Sequence, residues 1–546
     1  CSIASASVSN TPEYELLFTA NWNGHVTVRD DANVKVIDAD YKVTTAAEDK
    51  DKKSYLKEKV RLDIGMNNFK VTFTPDKAYQ PNDYTELTSY DAQVFSHNVN
   101  FRKYGAEGET LYVAVDGTAS GNGTKDNPLD IYTAVKWVQP GQTIVIMEGT
   151  YKLTSTIKVE RGINGTADKR IYMIADPDAA TRPVFDFQKR CMGMSLAGDY
   201  WYFKGFDVTN SADALNGIKV SGSYNTLDRV QSYRNGNTGI QIGRLLGTDG
   251  WEEWPAHNLI LNCSSYLNSD LGYEDADGFA AKLTIGDGNV FDGCIACYNA
   301  DDGWDLFAKV QSGSIGAVTI RNSIAFKNGY ILDENGNEVN AGNGNGFKMG
   351  GDSLKGGHRV ENSLAFANKA KGIDSNSCPD IKAYNSVSFD NESYNVAMYT
   401  NTATQTNYEA KGVISYKKSN KVTEQLVFKG AQAVRDSELY KAVYNDTNYF
   451  FNGISSLNTA KEKVTDDWFV SLDTAKALAA VGITRRADGT IDMHGYLELT
   501  ENAKADAALG GTTSEEVVPG VETDGDIAKG DDTDSSSSGI LPGDMP

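Results

Sequence analysis

Residues 262–268 read Asn-Cys-Ser-Ser-Tyr-Leu-Asn, and closely similar runs occupy residues 293–299 and 322–328. The pattern continues at residues 362–368 and 385–391, each time ending in asparagine. The interval between runs varies, but it stays within the ~20–50 residues typical of a solenoid repeat. The sequence therefore predicts a chain that winds through stacked coils, with the longer coils carrying their extra residues in loops.

Each repeat holds short apolar or β-branched strands interrupted by Asn, Gly and Ser, without stretches of helical periodicity. This favours an all-β fold, a right-handed parallel β-helix, over a solenoid of helices. A second position recurs after each asparagine, where glycine precedes a large apolar residue that we expect to enter the core. Its members are Gly239-Ile240, Gly278-Phe279, Gly303-Trp304, Gly346-Phe347 and Gly372-Ile373. Trp304 is therefore expected in the core and not as a sugar-stacking platform.

Charged residues accompany this second position in successive repeats. Because coils of a β-helix lie ~4.8 Å apart, Asp277 should stack on Asp302. For the same reason Asp305, Lys348 and Asp374 should form one column. Stacked carboxylates repel each other unless a cation lies between them. Calcium takes six to eight oxygen ligands and tolerates irregular geometry, so the pattern predicts a calcium site with a lysine base beside it.

The chain of 546 residues is acidic, with a formal net charge of −22 and a pI near 4.7. This charge argues against nucleic-acid and anionic-membrane partners, and no apolar run is long enough to span a bilayer. An anionic substrate would need a local cation in order to approach, and bound calcium would supply one. The histidines have no spacing suited to zinc, which argues against a zinc hydrolase.

We divide the chain into three parts. Residues 1–105 carry alternating apolar patterns typical of a small β module, which either binds carbohydrate or covers the end of the solenoid. Residues 106–510 form the predicted β-helix, with a short capping helix over residues 131–138. Residues 511–546 are rich in Ser, Asp and Gly and have almost no large apolar residues, so we expect a disordered tail.

The cysteines suggest several interpretations. Cys1 is compatible with the acylated cysteine of a bacterial lipoprotein, and equally with coincidence. Cys294 and Cys297 resemble a metal or redox pair, but residues three apart in a strand point to opposite faces, which favours a core role. Cys263 and Cys294 share one repeat position, so a disulfide between them is an open alternative.

Four segments, residues 276–279, 289–291, 301–307 and 342–351, resemble the family-nine polysaccharide lyases, calcium-dependent pectate lyases with a parallel β-helix fold. The combination of Asp-Asp-Gly-Trp-Asp-Leu-Phe with Gly-Asn-Gly-Phe-Lys-Met-Gly-Gly carries the resemblance, which extends from about residue 111 to residue 510. The resemblance implies a catalytic base at Lys348. The calcium ligands it implies are Asp277, Asp301, Asp302 and Asp305.

The resemblance further implies a pectate lyase that cleaves α-1,4-linked polygalacturonate by β-elimination. Calcium on the C6 carboxylate would stabilise developing charge while the lysine removes the C5 proton, giving oligogalacturonides unsaturated between C4 and C5. Polar residues at comparable places on neighbouring coils are candidate substrate ligands: Arg244, Lys282, Lys309, Lys371 and Asn376. We expect a monomeric, secreted or cell-surface bacterial protein whose partner is an acidic plant cell-wall polysaccharide.

Other functions remain open from the sequence. The same calcium and lysine would serve a lyase acting on the galacturonate of rhamnogalacturonan I. A non-catalytic, calcium-stabilised solenoid that binds carbohydrate at a surface would need the aspartates but no base. A polygalacturonase is disfavoured because it uses two carboxyl groups without calcium, and a uronate epimerase would need a second acid that the sequence does not identify.

Overall fold

The computed structural model describes residues 1–43, 54–82, 84–105, 108–400, 407–416, 424–427, 442–443, 445–451, 462–479 and 482–504. Within these ranges most of the chain winds into a β-helix. Each coil contributes strands to three parallel sheets, called sheets I, II and III in the order in which the chain visits them. The predicted all-β solenoid is confirmed. The predicted tail, residues 511–546, lies outside the described residues.

The three sheets run the length of the β-helix. Sheet I contains Thr110–Val113, Thr143–Ile146, Ile171–Ala175, Trp201–Lys204, Thr226–Asp228, Leu259–Leu261, Asn289–Asp292, Val318–Arg321, Arg359–Glu361, Lys382–Tyr384 and Glu409–Lys411. Sheet II contains Thr150–Lys152, Val184–Asp186, Asp207–Thr209, Gln231–Tyr233, Ser264–Tyr266, Ile295–Cys297, Ile324–Phe326, Leu364–Phe366, Val387–Phe389, Ile414–Tyr416 and Tyr449–Phe451. Sheet III contains Ile157–Val159, Met194–Leu196, Ile218–Val220, Ile240–Ile242, Phe279–Ala281, Trp304–Asp305, Phe347–Lys348, Ile373–Asp374, Val396–Tyr399 and Glu424–Val427.

The remaining elements lie at the two ends of the chain and in insertions. One N-terminal sheet holds Ser2–Ile3, Glu13–Thr19 and Leu56–Arg61, and the other holds Val8–Ser9, Gly24–Arg29, Lys35–Tyr41, Gly65–Pro75 and Gln93–Phe101. Two hairpins pair Tyr330–Leu332 with Glu338–Asn340 and Thr484–Arg485 with Ile491–Asp492. Among the described residues the short helices are Ile131–Trp137, Trp251–Glu253, Asp466–Trp468 and Thr474–Ala477, the second and third of them 3₁₀.

Asparagine side chains between sheets II and III join the coils into a ladder. The side-chain amide of Asn268 donates to Asn299, that of Asn299 to Asn328, and that of Asn328 to Asn368, each at 2.9 Å. The bonded asparagines lie 31, 29 and 40 residues apart in the sequence. The variable interval between the repeated runs is therefore the number of residues in each coil. Because each buried amide is both donor and acceptor, the turn keeps its polar groups satisfied whatever the length of the intervening loop.

Large apolar residues of sheet III stack inside the β-helix in the predicted register. Phe279 pairs with Trp304, and Trp304 pairs with Phe347 on the next coil. The ring centroids lie 4.8 Å apart in the stacked first pair and 4.9 Å apart in the tilted second pair, and Trp304 is fully buried. The predicted core position of Trp304 is confirmed. Since alternate residues of a strand face opposite sides, the residue after each of these rings points outward.

The N-terminal strands surround their own apolar cluster, in which Leu16, Val28 and Phe73 are almost completely buried. One residue of this region, Val8, instead belongs to the apolar cluster that fills the β-helix. Nearby, the side-chain amide of Asn10 donates to the carbonyl of Val138, at the end of the helix Ile131–Trp137. This contact joins the N-terminal strands to the first coils of the β-helix.

All six cysteines are free thiols, so the alternative of a Cys263–Cys294 disulfide is not realised. Cys294 lies in the core of the β-helix, whereas Cys297 lies in a second apolar cluster between sheet II and the segment 462–504. The two thiols therefore point to opposite faces of one strand, as predicted. In the described ranges, no helix is both long and apolar enough to cross a lipid bilayer.

Candidate active site

The candidate site lies on the outward face of sheet III. Asp305 pairs with Lys348 on the next coil, and Lys348 pairs with Asp374 on the coil after that. The neighbouring residues Trp304 and Phe347 fill the core, which turns the charged side chains away from it. The predicted column of Asp305, Lys348 and Asp374 is thus present.

Three aspartates meet in the turns that precede these strands. Asp277, Asp301 and Asp302 are buried, and each offers a carboxylate oxygen that lies within 4.8 Å of the other two. The backbone N–H of Asp302 donates to Asp277 Oδ1 at 3.3 Å. The side chain of Asp277 therefore lies against Asp302 on the next coil, as predicted. Asp305 stands beside this group, and its oxygens contact lysine side chains.

Backbone and amide donors orient the cluster from the loop that precedes Lys348. The N–H of Asn343 donates to Asp301 Oδ1 at 2.9 Å. The backbone N–H and the side-chain amide of Asn345 both donate to Asp302 Oδ1, at 2.7 and 2.8 Å. The other oxygen, Asp302 Oδ2, is buried and accepts no hydrogen bond from the described residues. A buried carboxylate oxygen that accepts no hydrogen bond is suited to contact a cation.

Two lysines approach the aspartates from outside. Lys282 Nζ lies 2.8 Å from Asp277 Oδ2 and 2.9 Å from Asp305 Oδ2. Lys348 Nζ lies 3.0 Å from Asp302 Oδ2, without hydrogen-bond alignment, and 3.4 Å from Asp305 Oδ1. The Lys348 ammonium also lies 5.7 Å from the ring centre of Phe307. Both ammonium groups balance the charge of the cluster in this structure.

The cluster perturbs the pKa values of its members. Burial, reinforced by the neighbouring carboxylates, raises the pKa of Asp277 and of Asp301. For Asp305, burial also acts to raise the pKa, but Lys282 and Lys348 outweigh it and hold the pKa below its ordinary value. Burial acts to lower the pKa of Lys348, and Asp302 and Asp305 outweigh it and raise that pKa well above the ordinary value. Carboxylates that resist ionisation when buried together are the arrangement that a divalent cation relieves.

Two predicted substrate ligands lie on the coil after Lys348. Lys371 Nζ lies 2.9 Å from Asp374 Oδ2 and donates to the hydroxyl of Tyr399 at 3.5 Å. The side-chain amide of Asn376 donates to the carbonyl of Gly350 at 2.7 Å. Both side chains therefore border the site, but each already has a protein partner.

The other predicted ligands differ in position. Lys282 lies inside the aspartate cluster, as described above. Lys309 is exposed, in a turn that pairs it with Gly313, and no ion pair joins it to an aspartate of the described chain. Arg244 is half-buried after the sheet III strand Ile240–Ile242. Burial lowers the pKa of the neighbouring Lys219, and the charges of Lys282 and Arg244 lower it further.

Lys219 is a further cation near the site and was not among the predicted site residues. It lies on the outward face of sheet III, opposite Gln241, in the column that continues through Ala280 to Asp305 and Lys348. Residues 217–220 read Gly-Ile-Lys-Val, which repeats the glycine–apolar pattern of the later coils. Extending that register by one more coil would have identified this lysine.

Comparison with known proteins identifies the family of the chain. A sequence profile described as Pel9A-like, right-handed β-helix region matches residues 111–420, and one described as the central Ig-like domain of pectate disaccharide-lyase matches residues 2–93. The chain is 38% identical to Pectate lyase L of Paenibacillus polymyxa over 400 residues, which cover 72% of this chain and 82% of that protein.

A longer relative and a solved structure are similar to this chain as well. Pectate lyase L of Thermoclostridium stercorarium is 38% identical over 468 residues, which cover 86% of this chain but only 35% of that much longer protein. The crystal structure of pectate lyase Pel9A superposes with a TM-score of 0.55 at 30% sequence identity, covering 73% of this chain and 91% of that one. The chain therefore belongs to the Pel9A-like family of right-handed β-helix proteins, the family-nine polysaccharide lyases.

Proposed function

We propose that this protein is a pectate lyase that cleaves α-1,4-linked polygalacturonate by β-elimination, with Lys348 as the base. The observation that carries this proposal is the position of Lys348, whose Nζ faces Asp302 and Asp305 at 3.0 and 3.4 Å from the coil next to the aspartate cluster. Family membership and the names of the relatives support the same reaction.

The aspartate cluster fits a calcium ion. Asp277, Asp301, Asp302 and Asp305 would hold it, because they offer hard oxygen ligands and Asp302 Oδ2 has no hydrogen bond in the described chain. When bound, calcium would supply positive charge that binds the uronate carboxylate and stabilises the charge that develops at C5. Lys282, which contacts Asp277 and Asp305, would lie beside the same carboxylate.

Lys348 would perform the proton transfer. Its Nζ takes the C5 proton, the electrons of the C5–H bond form the C4–C5 double bond, and the C4–O bond breaks. The departing oxygen leaves with the preceding part of the polymer and takes a proton from water. The half-buried position of Lys348 over Phe307 holds the amine close to the sugar and limits its contact with bulk water.

The remaining expectations follow from this substrate. A polymer of plant cell walls is met outside the cell, so the protein would act as a secreted or cell-surface enzyme, and a single β-helix offers the whole site without a second subunit. We further propose residues 106–510 as the lyase part, with residues 1–105 closing its N-terminal end through Val8 and Asn10.

The proposal is tested by following the ultraviolet absorbance of the unsaturated uronate. De-esterified homogalacturonan and rhamnogalacturonan I are incubated separately with the protein, with added calcium or with a chelator. We expect a calcium-dependent rise on homogalacturonan that Lys348→Ala abolishes. The matched control Lys152→Ala, an exposed lysine of sheet II, should retain full activity.

Other outcomes identify other functions. A rise on rhamnogalacturonan I alone would reassign the substrate while keeping the base. Calcium-dependent polymer binding without any rise, in the native protein and in Lys348→Ala alike, would refute the enzyme and support a non-catalytic carbohydrate-binding solenoid.

A further inference from the structure

Two cations beside the candidate site have no anionic partner among the described residues. The other lysines that border the site are paired: Lys282 with Asp277, Lys348 with Asp302, and Lys371 with Asp374. Lys219 and Arg244 form neither an ion pair nor a side-chain hydrogen bond anywhere in the described ranges. In a chain with a net charge of −22, unpaired cations on neighbouring coils are unexpected.

The fold holds these two cations close together. Lys219 is half-buried between the core residues Ile218 and Val220, and a Cβ atom placed on Gly243 would lie 3.1 Å from its Nζ. The ammonium therefore extends over the next coil, beside the residue that precedes Arg244. Burial, followed by the repulsion of Lys282 and Arg244, lowers the pKa of Lys219 to about 8. Positive charge is thus concentrated where no described residue provides a counter-ion, and an anionic ligand would relieve it.

The position of this pair relative to Lys348 follows from the register. Lys219, Gln241, Ala280, Asp305 and Lys348 succeed one another in one column of sheet III. At ~4.8 Å per coil, the backbone positions of Lys219 and Lys348 are roughly 19 Å apart. A polymer that lies along this column reaches both ends only if it extends over several sugar residues.

We propose that Lys219 and Arg244 form a carboxylate-binding subsite that holds a uronate of the polymer several residues away from the one attacked by Lys348. This inference rests on the proposed function, because it takes the polymer to be a polyuronate. The subsite would anchor long substrates through charge-assisted hydrogen bonds and would take no part in the proton transfer. Gln241, whose Oε1 accepts a hydrogen bond from Asn216 at 2.8 Å, lies between the subsite and the aspartates.

The test separates binding from chemistry. Lys219→Met and Arg244→Gln are prepared singly, in the native protein and in Lys348→Ala. In the native background we expect KM for polygalacturonate to rise about tenfold, with kcat changing by no more than about twofold. In the Lys348→Ala background, calorimetric titration with polygalacturonate and calcium should show a similar loss of affinity.

A control variant separates the loss of the subsite from the loss of a positive charge elsewhere on the protein. Lys152→Met removes an exposed lysine from sheet II and should change neither KM nor affinity. If Lys219→Met destabilises the fold, Arg244→Gln, at a half-buried position after the strand, still decides the question. Unchanged KM and unchanged affinity in both variants would overturn the subsite while leaving the lyase proposal intact. If the native protein has no lyase activity, the proposed function fails, and the affinity comparison alone decides whether the subsite binds polyuronate.

Discussion

Lys348, the proposed base, is surrounded by carboxylates. Its ammonium contacts Asp302 and Asp305, and these carboxylates raise its pKa even though burial acts in the opposite direction. A lysine must lose its proton before it can accept one, so the carboxylates need another cation to neutralise them. The same aspartates that would bind calcium therefore also decide whether the base is available.

Among the four aspartates, Asp302 is the best position at which to test calcium binding by substitution. Its Oδ1 is held by two donors of Asn345, and its Oδ2 accepts no hydrogen bond within the described chain. Asp302→Asn keeps the shape but removes one negative charge and replaces one oxygen by an NH₂ group. We expect calcium affinity to fall at least about tenfold, measured by calorimetric titration.

The control for this substitution is Asp178→Asn, an exposed aspartate in a loop of the β-helix. It should leave calcium affinity unchanged. Equal affinities for the native protein and Asp302→Asn would show that the metal, if it binds, is held elsewhere.

At the level of strands and turns, the sequence predicted those residues that recur at the same position in successive coils. Trp304 and Phe347 lie in the predicted register because alternation along a strand fixes which residues enter the core, and that placed Asp305 and Lys348 on the outer face. The asparagine ladder likewise follows the repeated runs. The column of charges was predictable for this reason.

Contacts made by long side chains were not predictable from the period. Lys282 lies in the turn after its strand, and nothing in the coil spacing indicates that its ammonium reaches back to Asp277. The donors of Asn343 and Asn345 come from a loop of irregular length, so their contact with Asp301 and Asp302 depends on tertiary structure. Lys219 does follow the coil period, because it lies opposite Gln241 one coil before the first predicted glycine–apolar pair.

A second ladder of side chains lies at the start of sheet I and contains a histidine whose protonation should change the stability of the fold. Asn258 Oδ1 and Asn289 Oδ1 each accept the backbone N–H of the corresponding residue on the preceding coil, and His358 Nδ1 takes the same role toward Val318 at 3.2 Å. His358 is fully buried, and burial, partly opposed by Asp380, lowers its pKa from 6.5 to about 4. Protonation would break the bond from Val318.

Below pH 6.5 the unfolded chain binds a proton at His358 that the folded chain does not bind until pH reaches about 4. Stability therefore falls as the pH is lowered through this window, by up to about 3 kcal/mol. His358→Asn should remove this contribution, so its free energy of unfolding should decline less steeply than that of the native protein. Parallel curves from denaturant titrations between pH 7 and 4 would contradict the assignment.

At the scale of the whole molecule, an acidic protein must bind a substrate that is also negatively charged. The chain carries a net charge of −22, and its proposed substrate is a polyanion. Lys219, Arg244, Lys282, Lys348 and Lys371 concentrate positive charge on or beside one sheet face. Local cations, together with a bound divalent ion, would attract a polymer that the remaining surface repels.

The N-terminal strands contribute to the stability of the β-helix. Val8 is 5% exposed and belongs to the apolar cluster of the β-helix, although its strand pairs with Gln93–Phe101. Val8→Ala removes two methyl groups and leaves a cavity, which should cost about 1–2 kcal/mol and lower the unfolding temperature measured by calorimetry. Val34→Ala, at a position that is 57% exposed, is the matched control. Equal unfolding temperatures for the two variants would show that Val8 does not join the two parts.

Elimination and hydrolysis of the polymer leave different products. The most direct measurement is the mass of the products formed from polygalacturonate in water enriched in heavy oxygen, with calcium present. Elimination adds no water, so the new non-reducing ends should be unsaturated and no heavy oxygen should enter at the cleaved bond. Saturated products that carry one heavy oxygen for each bond cut would identify a hydrolase and contradict the role of Lys348 as a C5 base.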